Sequence, residues 1–249
     1  MRSRTPQILL IILFSVLAAT LPVTGDPVGN ESVIQLRIGD ELYADGRYEE
    51  ALAAYNRVIE LDPDSAIARV KQGNVYYKTG NYAEAKRAYE EAIGIDPAYP
   101  DAWLGLGNAC LGLDSNKDAV VAYEGVTELD PTSADAFYNM GLAYQEMGDE
   151  KRAYAAFDRV TSLEPQNAYA WSRRGVALYN MGLYSEADES FGRALAIDKG
   201  LGEAINYSEL TKERLSERVF KYPIPFQPAI PIVGLFIGFL VHLSRDRKI

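Results

Sequence analysis

The chain has 249 residues, 48% of them hydrophobic and 24% charged, the proportions of a folded protein rather than a disordered one. A single cysteine, Cys110, excludes an intrachain disulfide framework and a thiolate metal cluster. The formal charge of −10 is unevenly spread: residues 26–219 hold 34 acids against 19 bases, a net of −15, and a body of that sign repels a phosphate backbone, which argues against a nucleic-acid partner.

The first segment, MRSRTPQILLIILFSVLAATLPVTG (1–25), has basic residues at Arg2 and Arg4, an apolar run from Ile8 to Ala19 and small residues after it. That is the layout of a secretory signal peptide, with Val23-Thr24-Gly25 or Leu17-Ala18-Ala19 as cleavage sites. An uncleaved signal anchor is the alternative. The run is short for a spanning helix, which needs about 20 apolar residues.

The middle of the chain is periodic. Gly39, Gly73, Gly107, Gly141 and Gly175 recur at a constant step of 34 residues, as do Ala51, Ala85, Ala119, Ala153 and Ala187. Tyr55, Tyr89, Tyr123, Phe157 and Phe191 keep the same step, and so do Pro63, Pro97, Pro131 and Pro165. Each period reads as a helical hairpin. In residues 64–97 the first helix is expected from Ser65 to Lys78, with a turn at Thr79-Gly80-Asn81 where glycine adopts positive φ without steric cost. The second helix, Tyr82 to Ile95, carries Ala85, Ala88, Tyr89 and Ala92 on one face, and Pro97 prevents its continuation. Gly73 and Ala85 let the two helices approach closely, with Tyr76 and Tyr89 filling the space beside them.

These residues resemble the tetratricopeptide repeat family. Its opening pattern is clearest at Trp103, Leu106 and Gly107, with Cys110 in the tyrosine place, then at Phe137, Met140, Gly141 and Tyr144, and at Trp171, Gly175 and Leu178. Departures are Gln35 and Arg69 in the large-aromatic place and Asp114-Ser115-Asn116 in place of a glycine turn. The resemblance implies an all-α, right-handed superhelical solenoid of five helix-turn-helix units, 32–65, 66–99, 100–133, 134–167 and 168–199, together spanning 32–199.

Lys199 stands where the next proline would fall, so the array is expected to stop there. Residues 200–220 then form a helix that covers the apolar face of the fifth unit and turns Glu209, Lys212, Glu213 and Glu217 to water. The remaining segment, 221–249, opens with Pro223, Pro225, Pro228 and Pro231, continues in the apolar run to Leu243 and closes with Arg245, Arg247 and Lys248. It reads as a proline-rich lead-in, a transmembrane helix and a basic tail on the cytoplasmic side. Both basic ends inside place the repeats on the extracytoplasmic side of the membrane. The alternative reading of the tail is a sorting signal that is cut off.

No catalytic constellation stands out. His242, the only histidine, lies in the tail, Cys110 occupies a core register, and the glycines follow the packing period rather than a phosphate loop. The chain is therefore read as a non-enzyme without cofactor or metal. The resemblance implies a concave groove lined by the first helix of each unit, here by Asn74, Tyr77, Leu104, Asn108, Tyr138, Asn139, Tyr169 and Arg173. Some family members clamp a carboxylate with two asparagines and several bases. Asn108, Asn139 and Arg173 match that pattern, whereas Leu104 and Tyr169 replace its two lysines. The expected partners are a protein or peptide in the groove and a lipid bilayer at the tail, with self-association as a further option. The alternative function is a structural or assembly component of the cell envelope without a defined peptide ligand.

Overall fold

The computed structural model describes residues 27–221, with side chains placed for residues 31–217. Both end segments that the sequence marks for a membrane, 1–25 and 221–249 beyond Lys221, lie outside the described residues. No helix among the described residues is long and apolar enough to cross a membrane.

Eleven helices follow one another, and no other regular element occurs among the described residues. They are α1 (Pro27–Ala44), α2 (Tyr48–Leu61), α3 (Ala66–Lys78), α4 (Tyr82–Ile95), α5 (Pro100–Gly112), α6 (Asn116–Leu129), α7 (Ala134–Glu146), α8 (Glu150–Leu163), α9 (Ala168–Asn180), α10 (Tyr184–Ile197) and α11 (Gly202–Lys221). Five hairpins, α1–α2 to α9–α10, stack in chain order, and α11 lies on the last of them. The helices of the 64–97 unit begin and end within a residue of the positions expected from the sequence. Helix α1 starts earlier than the repeat pattern, at Pro27, whose missing N–H costs nothing in a first turn. The first helices of successive units touch, α3 with α5 and α5 with α7, which puts them on the inner side of the array.

The turn within each hairpin needs one residue at positive φ. Gly46, Gly80, Gly148 and Gly182 supply it with φ between 71° and 79°. In the third unit Asp114 adopts φ 56° in their place, a left-handed conformation that aspartate tolerates better than most residues. The turn that lacks its glycine thus keeps the geometry of the others.

The core is a seam of aromatic rings, one per hairpin. Tyr55, Tyr89, Tyr123, Phe157 and Phe191 are at most 2% exposed. Each ring lies against the glycine of the facing helix: a Cβ on Gly73 would stand 2.7 Å from Tyr89 Cε1, and one on Gly175 2.6 Å from Phe191 Cε1. The tyrosine hydroxyls need partners once buried, and the first helix supplies them. Tyr55 Oη donates to Asp40 Oδ1 at 2.7 Å, Tyr89 Oη to Asn74 Oδ1 at 2.6 Å and Tyr123 Oη to Asn108 Oδ1 at 2.7 Å. In the last two hairpins the same place holds Leu142 and Val176, and the rings opposite are Phe157 and Phe191, with no hydroxyl to satisfy.

The two halves of this pairing depend on each other. Phe157→Tyr puts a hydroxyl opposite Leu142 and is expected to destabilise the array by about 1–3 kcal/mol, the cost of a buried polar group without a partner. Adding Leu142→Asn should recover most of that loss. A double-mutant cycle followed by urea unfolding measures the coupling, and additive losses would show that the pairing has no energetic weight.

The junctions between units use a second set of contacts. Trp103 Nε1 donates to the Pro97 carbonyl at 2.8 Å, and Trp171 Nε1 to the Pro165 carbonyl at 2.9 Å. Phe137 has no such donor, and there Arg159 Nη2 reaches the Pro131 carbonyl at 3.2 Å while its guanidinium lies 5.8 Å from the Phe137 ring. Arg69, in the same register, pairs with Glu91 at 2.8 Å. Helix α11 and the preceding Leu201 close the array, with Leu201, Ala204, Ser208 and Thr211 buried, the Tyr207 ring stacked on Phe191 at 5.9 Å, and Glu209, Lys212, Glu213 and Glu217 exposed.

Candidate partner-binding groove

The inner face is built from α1, α3, α5, α7 and α9, and the residues expected to line a groove are divided by the structure into three groups. The first is largely engaged in holding the array. The side-chain oxygens of Asn74 and Asn108 accept the hydroxyls of Tyr89 and Tyr123, and Asn108 Oδ1 also accepts from Asn139 Nδ2 at 3.2 Å across the α5–α7 junction. Asp40 has the same double role, accepting from Tyr55 and pairing with Lys71 Nζ at 2.9 Å. Burial raises the pKa of the Tyr89 and Tyr123 hydroxyls, and that of Tyr55 with help from its hydrogen bond to Asp40, so all three remain protonated donors.

A second group opens a pocket of ≈ 220 Å³ between α3 and α5. Tyr77, Lys78, Asp101 and Leu104 stand around it, and its floor is the Tyr89 ring beside Gly105. Glycine is required there, since a Cβ on Gly105 would run into that ring. Tyr77 is steadied by Tyr82, with ring centroids 5.4 Å apart.

The third group lies at the junction of the fourth and fifth units. Tyr138 and Tyr169 line a pocket of ≈ 280 Å³ with Asp135, Val160, Glu164 and Asn167. Tyr138 is half-buried, its ring edge-on to Phe157 at 5.6 Å, whereas Tyr169 is 61% exposed. The floor is Val160, which is buried.

Arg173 belongs to none of these pockets. Its Nη1 pairs with Glu203 Oε1 on α11 at 3.2 Å, and Ser172 Oγ donates to Glu203 Oε2 at 2.8 Å. This residue fastens the terminal helix to the array. Asn108 and Asn139 are bonded to each other and Arg173 to Glu203, so each of the three positions that match a carboxylate clamp has a partner within the array. Cys110 is fully buried and burial raises its pKa, so it is held as a thiol. Among the described residues no group of three or more His, Cys, Asp or Glu side chains is placed to hold a metal ion.

Family models support the repeat reading over the whole array. The model described as TPR repeat matches residues 39–80, 73–114 and 113–148, and two described as tetratricopeptide repeat match 134–167 and 168–201. No curated protein matches the chain. Among solved structures it is similar to the MamA protein, with 27% identity over 80% of this chain and 100% of that one at a TM-score of 0.64. It is also similar to YrrB, described as a TPR protein with an unusual peptide-binding site, with 26% identity over 70% of this chain and 90% of that one at a TM-score of 0.64. A thermophilic TPR protein of Thermus thermophilus shares the fold at 21% identity, over 74% of this chain and 99% of that one, with a TM-score of 0.51.

Proposed function

Because the chain belongs to the tetratricopeptide repeat family, we propose that it is a non-catalytic, membrane-anchored scaffold that binds an extended protein segment along its inner face, on the extracytoplasmic side. The observation that carries the binding role is the division of the inner-face residues. Once the seam has used Asp40, Asn74 and Asn108, the tyrosines Tyr77, Tyr138 and Tyr169 are left partly open to solvent and gathered in two pockets. Rigid aromatic side chains with a polar tip are the usual anchors of protein interfaces. The similarity to YrrB, which has a peptide-binding site by description, agrees with a peptide-like partner.

The membrane part of the proposal rests on composition alone. An apolar run with Arg2 and Arg4 before it at one end, and one closed by Arg245, Arg247 and Lys248 at the other, favours two cytoplasmic ends with the array between them on the far side.

Panning a random displayed peptide library on the purified full chain tests the groove. Wild-type protein is expected to enrich a motif that Tyr77→Ala and Tyr138→Ala weaken about tenfold or more, the usual size of an anchor loss. Failure to enrich any motif would remove the groove reading and leave the envelope-component alternative. Protease treatment of intact cells tests the sidedness: digestion of the repeats is expected, and their survival would place them inside.

A further inference from the structure

Positions that pack the array vary little among the five units, so departures from the repeat locate what packing does not require. Three departures meet in the pocket at the fourth junction. The first is the acid that ends the second helix of each unit. It is aspartate at Asp62, Asp96, Asp130 and Asp198, but glutamate at Glu164. Asp96, Asp130 and Asp198 accept the backbone N–H groups of Ala98, Thr132 and Gly200 at 2.9–3.0 Å and so close their turns. Asp62 makes no such bond, and Glu164, one methylene longer, instead accepts from Asn167 Nδ2 at 2.9 Å while lining the pocket.

The second departure is Tyr169, whose counterparts are Val33, Ile67, Asp101 and Asp135, and the third is Tyr138, whose counterparts are Leu36, Val70, Leu104 and Ser172. No other junction carries an aromatic residue in both places. Asp135, exposed on α7, completes the rim, and neither it nor Glu164 pairs with a lysine or arginine among the described residues.

We propose that this pocket receives a lysine or arginine side chain from the protein segment bound in the groove. The inference rests on the reading of the inner face as a protein-binding groove and adds the chemistry of one subsite. An apolar floor at Val160 and the face of Tyr138 suit the alkyl stem of a long basic side chain. The exposed Tyr169 ring offers its electron-rich face to the cation, and two carboxylates without a cation of their own supply the opposite charge. The net charge of −15 over residues 26–219 steers a basic segment toward the array.

Sequencing the peptides recovered from the panned library tests this. The full chain is expected to select lysine or arginine at one fixed position of the motif, and the two residues are told apart by their relative recovery. Glu164→Asp keeps the charge but shortens the side chain and draws the carboxylate back toward the turn, as at Asp96, Asp130 and Asp198, and Tyr169→Ala removes the ring. Each should lower recovery of the basic residue about tenfold, with the rest of the motif kept and the circular dichroism unchanged. Glu84→Gln, on α4 outside this pocket, is the control for charge alone and should leave the selection as it is. A motif without a fixed basic residue overturns the subsite while the groove stands. So does a basic preference that survives both pocket variants, or one that Glu84→Gln reduces equally. Absence of any motif overturns the groove reading itself.

Discussion

Replacing Tyr123 by alanine is expected to destabilise the array by about 3–5 kcal/mol, the loss that follows removal of a fully buried large aromatic ring. That is roughly a fifth or more of the stability of an ordinary domain. The ring sits in the third of five hairpins, with one neighbouring unit stacked on each side, so its loss also weakens two junctions. Tyr123→Phe keeps the ring and removes one hydroxyl, while Asn108 Oδ1 retains the Asn139 amide as a donor. That change is expected to cost only about 1 kcal/mol. Urea unfolding followed by circular dichroism gives both numbers. A Tyr123→Ala loss as small as that of Tyr123→Phe would show that the aromatic seam does not hold the array.

Gly73→Ala should also be damaging, by about 1–3 kcal/mol, although it adds a single methyl group and a better helix former. The new Cβ would stand 2.7 Å from Tyr89 Cε1, well inside contact distance. The ring has little room to retreat, because Gly105 of the next unit packs against it as well and its hydroxyl is bonded to Asn74. Gly192, exposed in the interior of α10 with open space around it, provides the contrast. There Gly→Ala is expected to stabilise by about 0.5–1 kcal/mol through the helix backbone alone. Equal effects at the two sites, read from thermal unfolding midpoints, would contradict the close approach at Gly73.

Much of this architecture is legible in the residues because packing repeats whatever the sequence repeats. A glycine facing an aromatic ring at a fixed offset specifies one hairpin, and the constant step of 34 residues specifies that hairpins stack in register. Helix ends follow from the same logic, since Gly80 and Pro97 act through backbone geometry that needs no tertiary context. Asp114 is legible as a missing glycine, but not that the turn keeps its shape without one.

The groove is less legible, and the reason is physical. Asn74 and Asn108 sit in the register of an inner face, so sequence offers them to a ligand, yet the tyrosines of their own hairpins take up their side-chain oxygens. The signal was present: tyrosine recurs fifteen residues after Asp40, Asn74 and Asn108, and phenylalanine fifteen residues after Leu142 and Val176. A rule for where the next residue of a repeat falls says nothing of which polar atoms are already spoken for. Arg173 is a similar case, because its partner Glu203 lies in α11, beyond the last repeat. Glu164 carried the opposite lesson, since a conservative change of acid looks like noise until three of its aspartate counterparts are seen bonded to the backbone of their turns and Glu164 to Asn167.

The two indole hydrogen bonds give the array an optical property. Trp103 and Trp171 are its only tryptophans, and each donates to the proline carbonyl just ahead of its own unit. They therefore emit from the second and fourth junctions, on either side of the two units formed by α5 to α8. With either indole replaced by phenylalanine, the fluorescence of the other becomes a local clock for the opening of a single junction. The order in which the two signals shift during unfolding then reads out the direction in which the stack comes apart.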